Sequence, residues 1–272
     1  MKRKTLPIFS HAVIKKNAFY VIFFIFLFAN LQAQDYKTFK LKGDEFWKNR
    51  DITDILIKAI ETYKKAEELA VNKIEKKKIL GKISYGYYLL GDSMKSAKER
   101  KTAFYNGYIA AEKILEINPN DPEANYFHVI NKLSYKDACG MLYVILYLKE
   151  FNRRMNIIMS QNKYVLSGGP QRVLARMIHL TPYLFRNRYS VGTLNDAEKM
   201  LNESINIEPQ LGLTRVFLAD IYLDMGKDNF AKEELIKAIN CPVNNDICEF
   251  APENRLSKKI AKNMMYKYFH IK

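Results

Sequence analysis

Residues 215–238 read Arg215-x2-Leu218-Ala219-x2-Tyr222-x3-Gly226-x4-Ala231-x3-Leu235-x2-Ala238. Apolar positions three or four apart predict two helices, and Gly226 between them predicts the turn. Ala219 and Ala231 are small enough to let the helices cross closely, while Leu218, Tyr222 and Leu235 fill the seam.

This is the spacing of a tetratricopeptide unit without its leading tryptophan. The expected fold is therefore all-α, built of tetratricopeptide-like antiparallel hairpins in a right-handed superhelical or closed array. Upstream, Ala197-x3-Leu201-x2-Ser204-x4-Pro209 forms the second half of the preceding repeat.

Earlier repeats are degenerate. A stripe from Ile52 through Leu56, Ile60 and Tyr63 to Ala70 predicts one helix, capped by Asn49 or Asp51 and preceded by a Phe46-Trp47 anchor. A second helix is expected over about 75–90, ending at Gly91-Asp92, and a long third over about 94–117. Within 118–123, Asn120 or Asp121 caps a new helix that Pro122 opens. Met141 to Leu148 has no polar face and predicts burial on most sides, whereas 152–163 is more polar and leads toward a loop. Ser167-Gly168-Gly169-Pro170 is a sharp structural turn starting another helix, and an irregular stretch follows Pro182. No phosphate-cradle spacing surrounds these glycines.

The first 33 residues carry Lys2, Arg3, Lys4, Lys15 and Lys16, the apolar run Ala18 to Ala29, and Leu31-Gln32-Ala33. Twelve apolar residues fall short of the roughly 20 needed to span a bilayer. They predict a signal peptide cleaved after Ala33. The first cysteine is Cys139, so no lipid attachment is expected. The organisation that follows is a signal peptide at 1–33, a short extension at 34–45, a repeat domain at 46–250 and a basic helix or tail at 251–272.

The chain of 272 residues has 44 Lys and Arg against 29 Asp and Glu. Removing the leader leaves 39 against 29, a net +10. In an exported protein that basicity suits lipid headgroups, polysaccharide or proteins, and no nucleic acid partner is expected. Cys241 and Cys248 bracket a short loop. A disulfide closing it and two free thiols both remain open.

Candidate chemistry is sparse. His128, His179 and His270 lie far apart without metal-ligand spacing, and Cys139 with either of the first two makes a poor nucleophile and base. No cofactor and no enzymatic activity are expected. Glu67-Glu68 and Glu233-Glu234 read as solvated faces. The stronger candidates are Arg172, Arg176, Arg186 and Arg188, which flank the Gly-Gly-Pro turn and suit an anionic ligand or acidic partner. Tyr85, Tyr87, Tyr88, Phe104, Tyr105 and Tyr108 suit helix crossings, with some free to line a groove for an apolar ligand.

Three passages together point to one family: Tyr85-Gly86-Tyr87-Tyr88, Ser167 to Leu174, and Arg215 to Ala219. Over Trp47 to Pro242 the chain resembles the periplasmic T-component of tripartite ATP-independent periplasmic (TRAP) transporters. The resemblance implies repeat hairpins around an apolar tunnel, self-association, and action beside a periplasmic solute-binding protein in solute uptake. The family is usually lipid-anchored, and this chain departs from it there. A different reading is a cell-envelope assembly scaffold that holds peptide segments of other proteins on its concave surface.

Overall fold

The computed structural model describes residues 33–182 and 192–271, which form eleven helices and no strand. These are α1 (33–47), α2 (Thr53–Leu69), α3 (Lys73–Ser93), α4 (Ala97–Leu115), α5 (Pro122–Cys139) and α6 (Met141–Asn162). They continue as α7 (Gly169–Leu180), α8 (Leu194–Ile207), α9 (Gly212–Asp224), α10 (Asp228–Ile239) and α11 (Ala251–Phe269). Among the described residues no helix is long and apolar enough to cross a membrane. The expected signal peptide lies outside the described residues, apart from Ala33.

Successive helices from α2 to α6 pack against one another, as do α7 with α8, α8 with α9, α9 with α10, and α10 with α11. This is the expected all-α array. The deciding unit forms as read: Leu218, Ala219, Ala231, Leu235 and Ala238 are buried, and Gly226 turns the chain at φ 69°. Full burial of Leu218 and Leu235 contributes about 1.5–3 kcal/mol each. Local signals place several helix starts. Asp121 accepts from the Ala124 amide at 2.9 Å beneath Pro122, and Thr193 and Asp196 exchange bonds in a capping box.

Several expectations are corrected. The stretch at 34–45 is no loose extension: it lies within α1, and Tyr36 is buried in the same core as Leu56, Tyr63 and Ile83. Of the two alternatives for the C-terminal segment, 251–269 is the helix, and α11 packs on α9 and α10 through Ala261 and Met265. Helix α3 runs through Gly91 to Ser93. The N-cap of α2 is Ile52, with no side-chain bond, because Asp51 is engaged elsewhere.

The largest correction is α6, which is one 22-residue helix rather than a buried segment leading to a loop. Its buried stripe is Tyr147, Phe151, Met155 and Ile158, while Leu142 and Leu146 are 65% and 72% exposed. The face containing residues 147–158 holds the helix, and its apolar start projects outward.

His128 on α5 is buried, and neither ring nitrogen has a hydrogen-bond partner. Glu112 Oε1 lies 3.4 Å and Glu150 Oε1 4.0 Å from Nε2, without hydrogen bonds between them. Burial, with Arg154 and Lys132 adding repulsion, pushes the imidazole down to about 2. In the unfolded chain a histidine titrates near 6.5, so the unfolded state takes the proton first. Stability from this group is complete above that value and is lost as pH falls toward the folded one. Between pH 7 and pH 5 the wild type is expected to lose about 2 kcal/mol more than His128→Leu in urea denaturation. Equal losses would mean that the folded imidazole titrates normally.

Candidate functional site

The two ends of the array are joined. Arg50, in the turn after α1, donates from Nε and Nη2 to the two Glu253 carboxylate oxygens at the start of α11, at 2.7 and 2.6 Å. Its Nη2 also reaches the Glu249 carbonyl at 2.8 Å. Both side chains are buried, at 9% and 7% exposure. Beside them Arg255 grips the Asp51 carboxylate with Nε and Nη2 and reaches the Lys48 carbonyl. Planar guanidinium and carboxylate match in such paired geometry, so orientation is set as well as distance.

Behind this clasp lies a cavity of about 720 Å³ between α1, α3, α5 and the segment leading into α11. Its aromatic lining is Trp47, Tyr85, Phe127 and Phe250. Tyr85 lies 6.0 Å from Trp47, 6.1 Å from Phe127, and stacks on Tyr88 at 6.1 Å. Burial raises the Tyr85 hydroxyl well above its usual range, and Glu253 adds to the shift. Lys82 sits over the Trp47 ring at 4.6 Å from its centroid, and Arg50 over the same ring at 5.2 Å. Tyr87 and Phe104, by contrast, are core residues, and Tyr105 is 45% exposed.

Arg172 and Arg176, two of the four arginines singled out from the sequence, make structural contacts. Arg172 is buried, and its donors go to the Ser167 carbonyl at 2.6 Å, the Leu166 carbonyl at 2.7 Å and Ser204 Oγ at 3.1 Å. It clamps the Gly-Gly-Pro turn, where Leu166, Ser167 and Gly168 all have positive φ. Gly169 is pressed against Tyr126, where a Cβ would lie 2.7 Å from the phenol oxygen. These contacts give Arg172 a structural occupation in place of the anionic ligand expected from sequence.

Arg176 donates to Asp220 at 2.9 Å and contacts His179 Nδ1 at 2.8 Å, while His179 Nε2 meets Asp224 at 2.8 Å. This polar chain ties α7 to α9. Arg186 and Arg188 lie outside the described residues.

Cys241 and Cys248 are both free thiols, so the bridge is not made. The Cys241 thiol points to the Lys237 carbonyl at 3.5 Å, and Cys248 sulfur accepts from Asn254 at 3.7 Å. Glu234 is also not a solvated surface acid, because it is buried and pairs with Arg215 at 2.9 Å and Lys237 at 2.5 Å. Glu67 likewise meets Lys76 at 3.2 Å.

Sequence reasoning missed Lys82, Arg50 and Glu253. Trp47 was visible as part of an aromatic anchor and Tyr85 as a helix-crossing or groove aromatic, but nothing local links Arg50 to a residue 203 positions away. No family model matches the chain, and no curated protein matches it.

Proposed function

We propose that this is an exported, non-enzymatic helical-repeat binding protein that works through its central cavity beside a periplasmic solute-binding protein. Its role is solute uptake, in the manner of the T-component of TRAP transporters, which the chain resembles. The observation that carries this reading is the joined array: a paired-arginine clasp borders an open pocket of about 720 Å³ with aromatic residues in its wall. That volume falls in the range of small-molecule sites, about 300–1,000 Å³. A basic surface suits export into a compartment bounded by anionic lipid.

The test is affinity capture of the tagged protein from an envelope extract of its own organism. Enrichment of a periplasmic solute-binding protein supports the reading. Enrichment of outer-membrane or secretion proteins without one overturns it in favour of an assembly scaffold.

A further inference from the structure

After Glu253 the chain carries Arg255, Lys258, Lys259, Lys262, Lys267 and Lys272 and neither Asp nor Glu. On α11 the buried stripe is Ser257, Ala261 and Met265, four residues apart, which seats the helix on α9 and α10. The opposite face presents Lys259, Lys262 and Lys267 together with Leu256, Ile260 and Tyr266, all of them exposed. Arg255 is engaged by Asp51. Among the described residues no carboxylate lies within 4.0 Å of Lys259, Lys262 or Lys267. Lys267 Nζ donates instead to Tyr268 Oη at 2.9 Å. The acid that acts on Lys267 from α9 is Asp220, which Arg176 holds at 2.9 Å. Like charges three or four residues apart repel along a helix, so an anionic surface laid on this face relieves a cost that the free protein bears.

A lysine row alone is only a solvated face. Here apolar side chains are interleaved with it, which is the pattern of a helix lying in the plane of a bilayer surface. From Lys259 to Lys267 the helix rises about 12 Å, so the ammonium groups are strung along the axis rather than gathered round one point. That spacing matches a field of headgroups. Lysine stems and the tyrosine ring combine an apolar body with a polar tip, which suits the boundary between headgroup and acyl chain. We infer that the outward face of α11 docks on an anionic lipid surface, with Lys259, Lys262 and Lys267 among the headgroups and Leu256, Ile260 and Tyr266 at the acyl boundary. A soluble anion pairs with the lysines but leaves Leu256 and Ile260 in water. This goes beyond the transport reading and does not rest on it.

The test is co-sedimentation of the mature chain from Gln34 onward with vesicles of phosphatidylcholine alone and of phosphatidylcholine with phosphatidylglycerol in equal parts. Affinity for the mixed vesicles is expected to exceed that for the neutral ones by at least about tenfold and to fall as salt rises. Each lysine near an anionic surface contributes about fivefold, so Lys259→Glu with Lys262→Glu is expected to weaken binding by more than about tenfold. Leu256→Ser with Ile260→Ser is expected to weaken it several-fold while leaving its salt dependence unchanged. Lys95→Glu with Lys98→Glu makes the same change in net charge at exposed positions around the start of α4 and is expected to leave most of the binding intact. Equal binding to both kinds of vesicle, unchanged binding in the α11 lysine pair, or an equal loss in the α4 pair overturns the inference. Should the α11 lysine pair misfold by circular dichroism, Lys259→Gln with Lys262→Gln takes its place. A wild type that ignores vesicles but captures an acidic envelope protein through these lysines also overturns it and assigns the face to a protein partner.

Discussion

Replacing Glu253 with Ala is expected to lower the free energy of unfolding by about 3–5 kcal/mol, because it leaves the Arg50 guanidinium buried without its counter-charge. Arg50→Ala strands Glu253 in the same way, so it is expected to cost a similar amount. The double variant is then expected to lose clearly less than the sum of the two, since neither charge is left alone. The reason for so large an effect is burial: both side chains are under a tenth exposed, and two parallel hydrogen bonds hold them. An exposed ion pair contributes only about 0–1 kcal/mol. Urea denaturation of the three variants checks this, and single-variant losses within that small range would show that the ends are not held by the pair.

Gly107→Ala is expected to be nearly as damaging, although it adds one methyl group. At Gly107 on α4 a Cβ would lie 2.0 Å from Asn131 Oδ1 and 2.4 Å from its Cγ. Asn131 is buried on α5 and cannot swing to solvent. Its amide nitrogen donates to the Ser84 carbonyl at 3.1 Å and the Phe127 carbonyl at 3.0 Å, while Ser84 Oγ donates to the Gly107 carbonyl at 2.6 Å. Three helices therefore meet at one polar point inside an apolar core. Overpacking costs about 1–3 kcal/mol, and each displaced hydrogen bond about 1 kcal/mol more. The expected loss is about 3–5 kcal/mol. Asn131→Ala added to Gly107→Ala removes the clash, so the double variant should be the more stable of the two in thermal denaturation. A double variant less stable than Gly107→Ala would place the cost elsewhere.

These two sites mark where the sequence was readable and where it was not. The unit at 215–238 was legible because every constraint on it is local: alanines at the crossing, a glycine at the turn and leucines in the seam. Asp121 and Pro122 were legible for the same reason, since a cap and a proline act within one helical turn. Helix α6 was misread because hydrophobicity runs one way only: apolar residues fill cores, yet a good share remain outside. Leu142 and Leu146 are among those. The stripe Tyr147, Phe151, Met155 and Ile158 was present at helical spacing but crosses the polar stretch starting at Asn152, which disguised it.

The candidate site was harder still. Asp51 sits where an N-cap belongs, and only the folded chain reveals Arg255 as its partner, 204 residues later. Arg172 follows a conspicuous turn and invites a ligand, yet three of its hydrogen bonds return to its own neighbourhood at Leu166 and Ser167 and to Ser204. Lys82 is one lysine among many until Trp47 is placed under it. For Asp51 and Lys82 the missing information is a long-range pairing, and for Arg172 it is the fold of its own turn, neither of which periodicity can carry.

The central claim is that the turn after α1 and the start of α11 are one joined unit that borders the Trp47 pocket. Amide hydrogen exchange measures it most directly. Protection of residues 48–52 and 251–256 is expected to be comparable in the wild type and to fall together in Glu253→Ala. Rapid exchange of 48–52 in the wild type, or loss at one segment with the other unchanged, would contradict it.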